Sequence, residues 1–347
     1  MDKKMNSSRC MDSPLRCGIV LAGGEGKRLR SFVHRVYGSD LPKQYVNLTG
    51  AGSMLENTFR RAEKLIRPEH LFTVISERHL AFVEVQRQLA GRVQSTVIVQ
   101  PENKDTGPGL LLPLINLYKR FPHSTVAVFP SDHFILEESR FMIHVYLAFK
   151  IVEKDPSKFV FLAARPDRPE CEYGYIVPGP KLAESFPLDV REVSRFVEKP
   201  PRSSASELLQ KGGLWNTMVM IFNPAKLLTR FRQLAAALYG SFHRIDQSIG
   251  QSRYSRVVRD EYRKIEPVNF SKAILESLCR EHPSGLTVLP LCGVYWSDWG
   301  SQDRIESGLA RMADSPASDQ KEASVLEPRA RRDAPRWPAE PANIQYR

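Results

Sequence analysis

A chain of 347 residues, 42% of them apolar, can bury one large core or two modest ones and needs neither a disulfide nor a metal to hold it folded. Its five cysteines, at positions 10, 17, 171, 279 and 292, have no CxxC or Cys/His metal spacing, which argues against a secreted disulfide framework and fits reduced thiols in a cytosol. The formal charge of +11 admits nucleic acid, acidic membrane or phosphorylated small molecules as partners, but no nucleic-acid-binding motif accompanies it.

From Met1 to Arg16 the chain carries cations but lacks the apolar stretch of roughly 7 to 15 residues that a signal peptide needs. It reads as a flexible N-terminus. The first apolar run, CGIVLA at 17–22, is a strand too short to span a bilayer, and no later segment comes nearer. The expectation is a cytoplasmic protein without membrane or nucleic-acid partners.

That strand runs into LAGGEGKRLR, where Leu21, Ala22, Gly23, Gly24 and Gly26 precede Lys27, Arg28 and Arg30. Glycines let backbone N–H groups approach a phosphate that a Cβ would hold off, and the cations behind them can neutralise it. No Gly-Lys-Ser/Thr follows as in a Walker loop, and the spacing suits a GxGxxG fingerprint poorly. A plain strand-to-helix turn is the alternative. DLPKQY comes next, with Lys43 and Gln44. Ser53 and Glu56 then have capping-box spacing, and Leu55, Phe59, Ala62 and Ile66 recur at helical intervals, so a helix opens near Ser53.

LFTVI (71–75), TVIV (96–99) and TVAVF (125–129) are β-branched runs separated by helix-length segments, the pattern of an open, largely parallel α/β sheet. Between them, the polar turn Asn103, Lys104, Asp105, Thr106 caps an apolar helix. TVAVF leads into PSDHFI and sets Asp132 at the carboxyl end of a strand, where open α/β sheets hold ligands. A single carboxylate there suits Mg²⁺, which keeps most of its waters; a turn or cap is the alternative, and His133 is read as structural.

FVFLA (159–163), YGYIV (173–177), VSRFV (193–197) and MVMIF (218–222) follow without a helix between every pair, so the second half of the sheet is mixed. The pattern turns helical from Pro224 to about 281, and 286–296 is extended. Beyond 312 the chain is rich in Pro, Ala, Ser and charge without apolar period, and reads as a disordered, dispensable tail. One catalytic domain is therefore expected over 17–312.

GGxGxRL at 23–29 followed by PKQ at 42–44 resembles the signature of sugar-phosphate nucleotidyltransferases, and the PKQ form resembles the mannose-1-phosphate guanylyltransferases. QPENKDTGPG, PSDH, YGYI, VEKP, LWNTM and YWSDWGS agree in order with that family. The resemblance implies an α/β, Rossmann-like mixed sheet flanked by helices, of the nucleotide-diphospho-sugar transferase type. It implies that the loop 22–28 wraps the nucleotide, with Leu21, Ala22, Gly23, Gly24, Gly26 and Lys27 binding it, that Arg28 meets its outer phosphates, and that Lys43 stands at the scissile phosphoryl group. Asn103 and Thr106 belong to the element that reads the base. Gly174, Glu198 and Asn216 frame the sugar, Lys199 approaches its phosphate, and Asp132 with Asp298 shares one Mg²⁺.

The implied reaction is attack by a mannose 1-phosphate oxygen on the α-phosphorus of GTP, expelling pyrophosphate; on this view the basic balance serves two polyanions. A homodimer is left open. The sequence departs from the family pattern at Lys27, where threonine or serine is common, at Lys104, where arginine is usual, and at Thr217-Met218, where Ser-Gly is frequent. The alternatives are ADP or UDP transfer to a glucose or heptose 1-phosphate, and a non-catalytic regulator that binds nucleotide sugars.

Overall fold

Strands β1 (Arg16–Leu21), β2 (Leu71–Ser76), β3 (Val97–Gln100) and β4 (Thr125–Pro130) are all parallel, in the order β3-β2-β1-β4. The computed structural model describes residues 14–182, 189–281 and 285–314. Both faces of these strands are buried. Cys17 and Ile19 of β1 join Val126 and Val128 of β4 in one core, while Val20 joins Ala127 and Phe129 in another. Helix Met54–Ala62 and helix Glu138–Lys154 cover the second core; helix Thr106–Arg120 and the helices between 224 and 262 cover the first. The expected capping box is present, with Ser53 Oγ accepting from Glu56 N and the Glu56 carboxylate accepting from Ser53 N.

After the short β5 (Phe134–Ile135), the chain adds β6 (Phe159–Ala164), β7 (Tyr175–Lys181), β8 (Arg191–Val197), β9 (Leu214–Phe222) and β10 (Leu286–Pro290). Among the described residues the sheet has nine strands in the order β3-β2-β1-β4-β9-β6-β10-β8-β7. Here the pairings are antiparallel except between β6 and β10, giving the mixed half that was expected. Because β9 runs opposite to β4 and β6, its amino end lies at the edge where β1, β4 and β6 end. That edge carries the site.

One strand has no counterpart in the sequence reading. The two-residue β5 pairs with β11 (Trp296–Ser297), matching Ile135 with Trp296 and Phe134 with Ser297. Asp132 stands two residues before β5 and Asp298 immediately after β11, so this small ladder brings the two aspartates to one place.

Two expected boundaries shift. Arg16 belongs to β1, where its guanidinium pairs with Glu153 at 2.6 Å and lies over the Tyr146 ring; residues 1–13 lie outside the described residues. The last helix, Gln302–Asp314, runs past Met312 because Ile305 and Gly308 are buried and Leu309 and Met312 pack on a third small core. The rest of the expected tail, 315–347, lies outside the described residues. Among the described residues no helix is long and apolar enough to cross a membrane.

Candidate functional site

The strand ends open into a cleft of about 600 Å³. Every residue expected at the site lines it except Ala22 and Lys199. Ala22 is fully buried, its N–H donates to Val74 O, and its oxygen accepts from Gln44 Nε2 and the Tyr45 hydroxyl, each at 3.0 Å. It supports the glycine loop from beneath, which corrects the expected direct contact. Gln44 Nε2 also donates to Gly24 O at 2.7 Å. The PKQY segment is thus a strut under the loop. Gly26 has φ 61°, and a Cβ there would sit 3.2 Å from Lys43 N, so both conformation and space favour glycine.

In the turn before the helix Thr106–Arg120, Asn103 Oδ1 accepts from Asp105 N and Thr106 Oγ1 accepts from Phe270 N. These residues cap and brace the turn as well as line the cleft. Lys104 O accepts from Val268 N and Gly107 N donates to Val268 O, which ties the turn to the segment at 268–270.

Lys43 is buried, and its Nζ stands 3.0 Å from Asp132 Oδ2 while donating to the main-chain oxygens of Asp298 at 2.6 Å and Trp299 at 3.1 Å. Asp298 Oδ1 accepts from the Tyr173 hydroxyl, Gly300 N and Arg304 Nη1 at 2.7, 2.9 and 2.8 Å. Its Oδ2 is left with Arg28 Nη2 at 3.8 Å. Burial pushes the Asp298 carboxyl up, but Lys43, Arg304 and Tyr173 outweigh it and hold the group below its ordinary value. Arg304 also pairs with Glu170 at 2.5 Å and lies over the Tyr173 ring. Arg28 pairs with Glu172 at 2.7 Å, and Lys27 with Glu25 at 2.9 Å.

The donor set fits Mg²⁺. Among the described residues no group of three or more His, Cys, Asp or Glu forms a protein cage. A Mg²⁺ ion bound by one or two carboxylates and substrate phosphates needs none. Charge points the same way. The lining holds six carboxylates, Glu25, Asp105, Asp132, Glu172, Glu198 and Asp298, against three cations, Lys27, Arg28 and Lys43. The basic excess of the chain is therefore not gathered in the cleft, contrary to expectation, and a polyanion entering it needs added cations. His133 also lines the cleft; burial lowers its ring to about 4, and the ring meets Trp296 edge-on.

Next to Tyr173, a Cβ on Gly174 would lie 2.7 Å from Glu198 Oε2 and 2.9 Å from Phe196 Cζ, so glycine is what lets Glu198 close over the strand. Burial raises the Glu198 carboxyl, opposed by Lys199. Asn216 N donates to Gly174 O, and its Oδ1 accepts from Met218 N at 3.0 Å. Lys199 is exposed, donates its N–H to Tyr173 O, and has φ 46°. The structure sets it beside the cleft, next to Glu198, instead of in its lining.

Within β9, Phe161 pairs with Met220 and Ala163 with Asn216, so Leu162 alone faces Thr217, Met218 and Val219. This is a β-bulge, and Met218 takes φ 57° in it. A non-glycine residue in the left-handed region costs about 1–2 kcal/mol. Thr217 Oγ1 donates to Leu162 O at 2.6 Å and accepts from Val219 N at 3.2 Å, replacing ladder bonds that the bulge breaks.

Sequence reasoning missed Gln44 as a strut, Tyr173 and Arg304 as partners of Asp298, and Gln100. Gln100 is 2% exposed and lines the cleft, its Nε2 donates to Gly23 O at 3.5 Å, and its buried Oε1 has no hydrogen-bond partner among the described residues.

A glycine loop and two carboxylates at the strand ends of a mixed α/β sheet define a protein of the nucleotide-diphospho-sugar transferase fold. The nucleotidyl transferase family model matches residues 17–314, and the chain belongs to that family. It is 27% identical over 285 residues to the xanthan biosynthesis protein XanB of Xanthomonas campestris pv. campestris (strain B100), covering 82% of this chain and 57% of that protein. A mannose-1-phosphate guanylyltransferase of Escherichia coli is 29% identical over 221 residues, covering 63% and 46%. The chain thus spans about half the length of these relatives. Among solved structures, one described as a mannose-1-phosphate geranyltransferase from Thermus thermophilus superposes with TM-score 0.68 at 24% identity, covering 82% of this chain and 76% of that one. Another, described as a mannose-6-phosphate isomerase from Helicobacter pylori, gives TM-score 0.62 at 19% identity, with 82% and 99% covered. Both show the shared fold.

Proposed function

We propose that the cleft transfers GMP from GTP to mannose 1-phosphate, giving GDP-mannose and pyrophosphate. The observation that carries this is the place of Lys43, a buried ammonium bonded to Asp132 and to the main chain at Asp298, in a cleft lined by both the glycine loop and Gly174, Glu198 and Asn216. The relatives named mannose-1-phosphate guanylyltransferases support the choice of substrates.

The attacking phosphate oxygen is an anion near neutral pH, so no general base is required. A bond forms from it to the α-phosphorus as the bond to the β-phosphate oxygen breaks, and the electron pair leaves with pyrophosphate. The chain's work is in-line positioning and charge compensation. Lys43 faces the reacting phosphoryl group, and Arg28 exchanges Glu172 for the outer phosphates. Asp132 and Asp298 Oδ2 would hold Mg²⁺, which supplies the remaining positive charge on phosphate oxygens. Glu198 and the Asn216 amide nitrogen orient sugar hydroxyls.

The test is pyrophosphate release from each of the four NTPs with mannose, glucose and heptose 1-phosphates. GTP with mannose 1-phosphate should give the highest kcat/KM. A faster ATP or UTP pair would overturn the substrate assignment, and binding of GDP-mannose without pyrophosphate release from any pair would mark a regulator.

Gln44→Leu should raise the nucleotide KM about tenfold and leave kcat within about threefold, because it removes two bonds worth roughly 1 kcal/mol each from the loop that grips the nucleotide. Steady-state kinetics with varied nucleotide checks this. A fall in kcat at constant KM would mean that the strut serves chemistry instead of binding.

A further inference from the structure

Met218 combines two properties that rarely coincide. It is a bulky residue at φ 57° inside a strand, and it lines the cleft, half-buried, at the end formed by Gly174, Glu198 and Asn216. Glycine would adopt this backbone without strain. Strain retained at a site surface is a reason to look for a function of the side chain.

The bulge itself does not need methionine. Its shape is held by Asn216 Oδ1 accepting from Met218 N and by Thr217 Oγ1 bridging Leu162 O and Val219 N, all contacts made without the residue 218 side chain. What that side chain adds is a thioether in the cleft. Its sulfur lies 3.3 Å from Ser271 Oγ, which donates to it, and Ser271 lines the same cleft. The same hydroxyl is also a hydrogen-bond partner of the Glu198 carboxylate, so the thioether adds apolar surface beside the polar Glu198–Asn216 side.

We propose that Met218 is the specificity-determining residue of the sugar end, selecting a sugar 1-phosphate that turns a C–H or deoxy edge to it and rejecting one that turns a hydroxyl. This rests on the cleft binding sugar 1-phosphates as proposed above. A hydroxyl placed against the thioether loses its water and gains only a weak acceptor, which disfavours its binding. The ligand class that follows is a hexose 1-phosphate with at least one edge free of hydroxyl, deoxyhexose 1-phosphates included.

The experiment compares wild type with Met218→Gly and Met218→Ala on mannose, 6-deoxymannose, glucose and 2-deoxyglucose 1-phosphates, by kcat/KM and by calorimetric binding. Wild type should favour at least one deoxy sugar over its hydroxylated parent by about tenfold or more, Met218→Gly should shrink that ratio by about tenfold, and the nucleotide KM should stay within about twofold. Met218→Gly should also melt no lower than Met218→Ala, the reverse of the usual order in a strand, because only glycine relieves the backbone. Ratios that Met218→Gly leaves unchanged, or a change confined to the nucleotide KM, would overturn the proposal. If no nucleotide and sugar pair turns over in wild type, the transferase reading fails separately, and the calorimetric ratios still decide the role of Met218. No binding of any sugar 1-phosphate would overturn both.

Discussion

Asp132→Asn is expected to cut kcat/KM by about 10³-fold or more while leaving the melting temperature within about a degree of wild type. The Asp132 side chain is about a third exposed, and its ion pair is with Lys43, which keeps two main-chain oxygens as partners. Little of the fold depends on it. Asp298→Asn should lose as much activity and also lower the melting temperature, because its carboxylate holds buried Arg304 and the Tyr173 hydroxyl. A hydrogen bond to a charged group is worth about 1.5–3 kcal/mol. If both carboxylates serve one Mg²⁺, the double variant should be little worse in kcat/KM than either single one. Mg²⁺ titration of nucleotide binding checks the shared ion without recourse to turnover. Multiplicative losses, with Mg²⁺ dependence kept in either single variant, would mean that the aspartates act apart.

Lys43→Met should reduce kcat/KM by about 10³-fold, the scale seen when a preorganised donor to developing charge is removed. Unlike Asp132→Asn, it should also lower the melting temperature by several degrees. The lost ammonium ties the carbonyls of Asp298 and Trp299, and Trp299 is held at φ 43° in that turn. Lys199→Ala gives the contrasting case. Its side chain is exposed and outside the lined cleft, so stability should not change. The sugar-phosphate role implied by family resemblance requires a loss in kcat/KM of about 10²-fold. A change in the GTP KM alone would rule that role out. Parallel kinetics and thermal melts on the two variants separate a charge that also builds the site from one that only reaches it.

The parallel half of the fold was legible because β1, β2 and β4 are β-branched or apolar runs broken by helix-length segments, and Ser53 and Glu56 announce their helix by spacing alone. Asp132 was legible as a residue following a strand. The pairing of β5 with β11 was not, because two residues carry no periodicity and the partners lie some 160 positions apart. For the same reason Asp298 could be placed only by resemblance. Arg304 reads in sequence as one more cation on an amphipathic helix, and only burial against Glu170 and Asp298 shows its part. Net charge misled in the other direction: +11 over the whole chain said nothing about a cleft lined mainly by carboxylates. The Met218 departure was visible, but its left-handed backbone was not, since backbone angles at a bulge are set by neighbours on other strands.

The strand order also has a consequence for how the chain assembles during synthesis. β9 is inserted between β4 and β6, and β10, almost the last strand made, is inserted between β6 and β8. Until residue 290 has left the ribosome, β6 and β8 have no neighbour on their facing edges, and such open edges invite pairing with other chains. The parallel half can assemble early from neighbours close in sequence, whereas the mixed half must wait for its central strand. Cutting the chain ahead of Leu286 would therefore not yield a smaller enzyme; it would leave a gap in the middle of the sheet.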